Sequence, residues 1–138
     1  MAQTLERIRD NGRKEFYEGE TAKRIVNYVQ ELGGILSLED LKNYHSQWRT
    51  PITFNYKNYT ISSMPLPSSG GICIAQILKS VEPYKIGQYT HNGEQYVQLL
   101  VEAERRAYAD RAYFLGDPDF VKVPTETLLS PGYLKERM

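Results

Sequence analysis

One cysteine, Cys73, stands in 138 residues, so no internal disulfide can form and no paired-cysteine metal spacing exists. Histidine is almost as scarce. His45 and His91 are the only two, and neither has a second ligand at helical spacing, which argues against a zinc site and leaves both as surface or hydrogen-bonded histidines. An excess of charge is missing too: Lys plus Arg and Asp plus Glu both number 17, so the chain has neither the basic footprint of a nucleic-acid binder nor an acidic tail. No stretch approaches the ~18 apolar residues that a membrane span requires. The start, Met1-Ala-Gln-Thr-Leu-Glu-Arg-Ile8, is polar and helical, with no apolar core of a secretory signal. At the other end, Leu134-Lys-Glu-Arg-Met138 stops inside a helical stretch, and both ends read as cuts in a longer chain.

What is present is the composition of an ordinary globular chain, 41% hydrophobic and 25% charged, at one domain's length. The spacing of apolar residues predicts helices over about 2–12, 19–32, 38–44, 70–82 and 92–115, with another short one beginning near Thr125. Leu5 and Ile8 open the first, which Asn11-Gly12 is expected to end. Ala22, Ile25, Val26, Val29 and Leu32 make the stripe of the second, closed by Gly33-Gly34. Ser37-Leu-Glu-Asp40 supplies a hydroxyl cap and first-turn acids for the third. The period then changes: Ile52, Phe54 and Tyr56, then Tyr59, Ile61 and Ser63, alternate around Lys57-Asn58, a hairpin over about 51–64. A lone hairpin is marginal in water, so it is expected to join a larger sheet. On the longest helix, Tyr96, Leu99, Leu100, Ala103, Ala107 and Phe114 are expected on the inner side. The fold class is α+β, helix-rich with one hairpin.

The residues yield no catalytic set. Ser68-Ser69-Gly70-Gly71 invites a nucleophile or phosphate-loop reading, but neither G-x-S-x-G nor G-x-x-x-x-G-K-[ST] is present, and a helix-capping corner accounts for serines, glycines and prolines together. Glu102, Glu104, Arg105 and Arg106 read as a solvated helix face, with Glu102 and Arg106 paired four apart. Asp110-Arg111, among small residues, reads as a partly buried ion pair tying this helix to another element, in preference to a substrate-binding arginine. Cys73 reads as a small buried hydrophobe, and Asn58-Tyr59-Thr60, though it matches a glycosylation sequon, is explained by a tight turn. Catalytic, cofactor-binding and metal-binding residues are therefore all expected to be none.

The order of these segments is informative. Gly19-Glu-Thr-Ala22, Gly33-Gly34, Leu38-Glu-Asp-Leu41 with Tyr44, Pro51 before the hairpin and Met64-Pro-Leu-Pro-Ser-Ser-Gly-Gly71 resemble the large subunit of γ-glutamyltranspeptidases. The likeness continues through Gln76-Ile-Leu78, Glu102-Ala103, Ala107-Tyr-Ala-Asp-Arg111 and Gly116-Asp-Pro-Asp-Phe120 to Val123-Pro124 and Leu128-Leu129, departing at Leu66 where the family commonly has proline. The resemblance implies a fragment of an N-terminal-nucleophile hydrolase, an αββα sandwich whose precursor cleaves itself. The new N-terminal Thr of the small subunit then takes the γ-glutamyl group of glutathione or a related compound. It implies no metal or organic cofactor, and partners that are the remainder of the large subunit and the small subunit, with no nucleic acid. It also implies a parent outside the cytoplasm (periplasmic, secreted or on the cell surface). The nucleophile would lie beyond the segment matching Gly116 to Leu129, so Thr125 and Thr127 do not match it. Gly70-Gly71 is not the oxyanion pair, and the arginine holding the α-carboxylate would lie upstream of Met1. The same scaffold in a cephalosporin acylase or poly-γ-glutamate-processing enzyme, or a stand-alone non-catalytic domain, are the alternatives. Alone, the chain is expected to be inactive and to self-associate.

Overall fold

The computed structural model describes all 138 residues. Seven helices and one hairpin follow in the order α1 (Ala2–Tyr17), α2 (Glu20–Glu31), α3 (Leu38–Asn43), β1 (Ile52–Tyr56), β2 (Tyr59–Ser63), α4 (Gly70–Val81), α5 (Glu94–Phe114), α6 (Thr125–Leu128) and α7 (Pro131–Arg137). Short 3-10 turns at Glu82–Tyr84 and Ile86–Gln88 link α4 to α5. The fold class is α+β with one two-stranded antiparallel sheet. No helix is long and apolar enough to cross a membrane. The chain, one domain's length by its residue count, divides into two compact units, Met1–Trp48 and Arg49–Met138.

In the first unit, α1 is two helical segments that meet at a kink, and Gly12 ends the first of them. Gly12 leaves helical geometry at φ 59° and ψ −145°, and the chain then resumes its helix to Tyr17. Three contacts hold the resumed turn. The Arg13 guanidinium donates to the carbonyl oxygen of Tyr44 at 2.6 Å, meeting an orphan acceptor at the end of α3, and sits 4.6 Å over the Tyr17 ring. Tyr17 in turn stacks on Tyr44. Ser37 and Asp40 form the reciprocal capping box at the start of α3, and those hydrogen bonds hold the Asp40 carboxyl below its ordinary range.

The start of α2 is capped from outside. Its N-cap is Gly19, which has no side chain to offer, and the buried Glu15 replaces it: Oε1 accepts from the Thr21 amide at 3.1 Å, the Thr21 hydroxyl at 2.9 Å and Arg7 Nε at 2.9 Å. A Cβ on Gly19 would meet Glu15 Oε2 at 2.5 Å and its backbone at 2.8 Å, so glycine makes room for the cap. Burial alone pushes the Glu15 carboxyl up, but the hydrogen bonds from Thr21 and Arg7, with the charge of Arg7, bring it below its usual value.

In the second unit α4 is central. It packs on α5, β1, α6 and α7 and buries Gly71, Ile72, Cys73, Ala75, Gln76, Ser80 and Val81. Phe54, Ala103, Ala107, Leu128 and Leu134 complete this core. Each large aliphatic side chain fully removed from water contributes roughly 1.5–3 kcal/mol. On α5 only Ala103, Ala107 and Asp110 are fully buried, while Tyr96, Leu99, Leu100 and Phe114 are half-buried. Small residues bring that helix close to α4, and its larger ones lie at the margin. The hairpin pairs Phe54 with Ile61 and Tyr56 with Tyr59, and turns at Lys57, whose φ of 52° is left-handed. The Lys57 amide donates to Glu82 Oε1 at 2.6 Å, fixing the turn to the end of α4. At the start of that helix, a Cβ on Gly71 would run into the Met64 carbonyl oxygen and lie 3.1 Å from Ile52 Cβ, whereas one on Gly70 would meet only Ser68 Oγ at 3.5 Å.

Two predictions follow from these contacts. Gly71→Ala should lose about 1–3 kcal/mol through overpacking against the hairpin, while Gly70→Ala should be near neutral; equal urea midpoints for the two variants would refute the close approach. Ionised Glu15 has a lowered folded pKa, so its stabilisation is complete above the ordinary carboxylate range and fades as pH falls through that lowered value. Wild type and Glu15→Gln, compared by circular dichroism across an acid titration, should differ near neutrality and converge at low pH. A gap that widens in acid would contradict this.

Candidate functional site

Neighbours three and four apart on a helix share a face, whereas consecutive residues point about 100° apart. Asp110 and Arg111 therefore leave α5 in different directions and do not pair with each other. Asp110 turns inward and is buried. Its Oδ2 accepts from Gln76 Nε2 on α4 at 2.8 Å, and its Oδ1 accepts from the Tyr133 hydroxyl and from Arg137 Nη2 on α7, both at 2.9 Å. Gln76 Nε2 also donates to the Leu128 carbonyl oxygen at 3.2 Å, which adds the end of α6. One carboxylate thus ties α5 to α4 and α7. The partly buried ion pair expected at this position exists, but its cation is Arg137. Burial, then the hydrogen bond to Asp110, pushes the Tyr133 phenol up, so it serves as a donor. Arg106 reinforces the same junction: it pairs with Glu102 and donates to the Arg137 carbonyl oxygen. Arg106 is half-buried, so this side of the charge run is a helix–helix contact rather than a solvated face. Gln76 Oε1 and Arg137 Nε are left without partners in this otherwise satisfied network.

Arg111 turns outward to the serine corner. Its Nε donates to Ser69 Oγ at 2.9 Å, and its guanidinium carbon lies 5.9 Å from the Tyr108 ring centre. Ser69 occupies the N-cap position of α4, yet its side chain caps nothing; Ser68 Oγ accepts from the Gly70 amide instead, at 3.4 Å. The side-chain cap expected of this corner is therefore absent: Arg111 occupies the Ser69 hydroxyl, and Ser68 reaches only the Gly70 amide. The chemical consequence for Ser69 is plain: a hydroxyl accepting from an always-protonated guanidinium faces no base that would take its proton. Arg111, Ser69, Pro67, Ala112, Leu115 and Gly116 line a hollow of about 290 Å³.

The remaining candidates lie elsewhere. His45 and His91 are exposed, and His91 meets Tyr96 edge-on at 5.5 Å. Cys73 is buried, and burial pushes its thiol up against the opposing charge of Arg111. Asn58 is an exposed residue of the hairpin turn. No group of three or more His, Cys, Asp or Glu side chains converges to hold a metal ion. Sequence reasoning missed Gln76, Tyr133 and Arg137; a signal existed only for Gln76, a polar residue in an otherwise apolar helical stretch, since α7 buries Leu134 alone.

Asp110→Ala should lose about 3–5 kcal/mol, because it leaves the Arg137 guanidinium, the Tyr133 hydroxyl and the Gln76 amide without their common acceptor. Tyr133→Phe should lose about 1.5–3 kcal/mol, one hydrogen bond to a charged group. Guanidinium unfolding midpoints check both; an Asp110→Ala variant as stable as wild type would remove the carboxylate from its central role.

Comparison with known proteins gives this arrangement its context. A glutathione hydrolase proenzyme of Escherichia coli (strain K12) is 46% identical over 135 residues, covering 98% of this chain and 23% of that protein. A solved γ-glutamyltranspeptidase of Pseudomonas nitroreducens, complexed with L-DON, superposes with a TM-score of 0.88 at 42% identity, over 99% of this chain and 41% of that one. An acylase ACY 1 proenzyme of Pseudomonas sp. (strain V22) is 39% identical over 136 residues, covering 99% of this chain and 24% of that protein. The chain therefore spans about a quarter of the length of the curated relatives it matches. The family model described as Gamma-glutamyltranspeptidase matches residues 1–138, and the chain belongs to that family.

Proposed function

We propose that residues 1–138 form the C-terminal part of the large subunit of a γ-glutamyltranspeptidase that hydrolyses or transfers the γ-glutamyl group of glutathione and related compounds. The observation that carries this reading is the family match along the whole chain, together with 46% identity to a protein named glutathione hydrolase proenzyme. In this reading the parent is an N-terminal-nucleophile hydrolase with an αββα sandwich, acting in the periplasm, outside the cell or at its surface. Its precursor cleaves itself, and the exposed Thr attacks the γ-glutamyl carbonyl with its own amine as base. The resulting acyl-enzyme passes the group to water or to an amine. No metal or organic cofactor takes part.

Residues 1–138 supply scaffold, not chemistry. Of the two hydroxyls in the motif that suggests a nucleophile, Ser69 is engaged by a guanidinium and Ser68 by the Gly70 amide, neither by a base, which supports that role. The remainder of the large subunit and the small subunit are the partners. Several large apolar side chains are open to solvent, Trp48 and Ile35 in the first unit and Tyr113 and Phe120 in the second, as expected of a piece covered by further chain. On its own, the fragment should self-associate through these surfaces and the hairpin's open edges. The likeness to a solved cephalosporin acylase of Bacillus halodurans, 29% identical with a TM-score of 0.83, favours a second reading, in which the same scaffold serves an enzyme acting on cephalosporin side chains.

The test compares the intact parent protein with the 138 residues alone. The parent should turn over glutathione and a γ-glutamyl anilide, and the 138 residues should show no turnover above a buffer blank and should elute as an assembly in light scattering. Turnover by the 138 residues themselves would overturn the scaffold role. A parent that ignores glutathione and cleaves a cephalosporin side chain would establish the second reading.

A further inference from the structure

Arg111 differs from every other arginine of the chain. Arg7, Arg9, Arg24, Arg49, Arg105, Arg106 and Arg137 each pair with a carboxylate, and Arg13 donates to two carbonyl oxygens. Arg111 has only the hydroxyl of Ser69, through Nε, and neither of its terminal nitrogens has a partner. Nearby acids are already engaged. Asp110 serves Gln76, Tyr133 and Arg137; Asp119 pairs with Arg49 at 3.1 Å; and Asp117 accepts from the Asp119 amide at 3.0 Å. The geometry left over is specific. With Nε held by Ser69 at 2.9 Å, the end-on pair of Nη groups stays free, the edge of a guanidinium that takes a carboxylate through two parallel hydrogen bonds. The adjoining hollow, about 290 Å³ and lined also by Pro67, Ala112, Leu115 and Gly116, has room for a side-chain carboxylate.

We propose that Arg111, held by Ser69, is the seat of a side-chain carboxylate supplied by the parent polypeptide outside residues 1–138. This rests on the reading of the chain as part of a larger enzyme, and the chain's 23% share of the Escherichia coli relative indicates how much polypeptide is available to supply the acid. The carboxylate docks end-on against the two Nη groups and joins the corner before α4 and the end of α5 to the added segment. The Ser-Ser-Gly-Gly corner thereby acquires a role: it aims a cation.

Labelling with phenylglyoxal, mapped by peptide mass spectrometry, tests this without any variant. Arg111 should react readily in the 138-residue chain and about tenfold or more slowly in the intact parent, as fits a charge pair closed off from solvent. Arg111→Glu in the parent should lower its soluble yield, and one acid-to-lysine change elsewhere in the parent should restore it. Equal labelling in both proteins would overturn the proposal, as would failure of every acid-to-lysine change to rescue. Protection of the 138-residue chain by free glutamate would also overturn it, assigning the site to a small carboxylate instead. Wild-type turnover of the γ-glutamyl anilide is read separately; its absence, with Arg111 still protected in the parent, counts against the enzyme reading and not against the pairing.

Discussion

A carboxylate taken out of water must be met by charge and hydrogen bonds, or its burial works against the fold. Asp110 is that group in the Arg49–Met138 unit. It lies almost fully buried on α5 and collects an amide from α4 with a phenol and a guanidinium from α7. The apolar contacts of Ile72, Val81, Leu128 and Leu134 supply most of the driving force for collapse, but they are not directional. Asp110 sets which way the helices face. A rotation of α5 that kept its alanines buried and moved this carboxylate would leave three donors and an acceptor unmet in the core.

The same helix sends its next residue the other way, and the contrast organises the candidate site. Arg111 meets the serine corner where α4 begins, while Asp110 meets Gln76 further along that helix. Between them α5 holds α4 at its start and its middle. Gly71 lets the hairpin approach the same start, because no Cβ stands between the helix and Met64 or Ile52. Corner, hairpin and long helix therefore converge at one end of α4, and the sequence motif there is a packing solution first. Its spare capacity is the unpaired end of the Arg111 guanidinium.

Local order was readable from the residues. The stripe of Ala22, Val26 and its neighbours, the Ser37–Asp40 box and the alternation from Ile52 to Ser63 are short-range patterns, and the structure places α2, α3 and the hairpin on them. Less was readable where the deciding partner lay far along the chain. Asn11-Gly12 does stop the first segment of α1, but the second segment that follows at once was not legible, because Arg13 and Tyr17 meet Tyr44 about thirty residues later. Gly19 offered no cap, and Glu15 supplied one from the preceding helix. The resemblance of the segment order to γ-glutamyltranspeptidases was legible because a long run of individually weak motifs, in fixed order, is rarely met by chance.

The sequence by itself determined the class of the elements, the family and the lack of a metal-ligand or cysteine spacing, since these depend on residue type and near-neighbour period. Only the tertiary structure decided who pairs with whom. Asp110 and Arg111 are adjacent and oppositely charged, and their residue types leave open which element each of them meets. In the helix they diverge, so one closes a buried network with Arg137 and the other is left at the surface with a serine. The reason is geometric: helical rotation assigns each side chain its direction, and packing then decides which distant element is there to meet it.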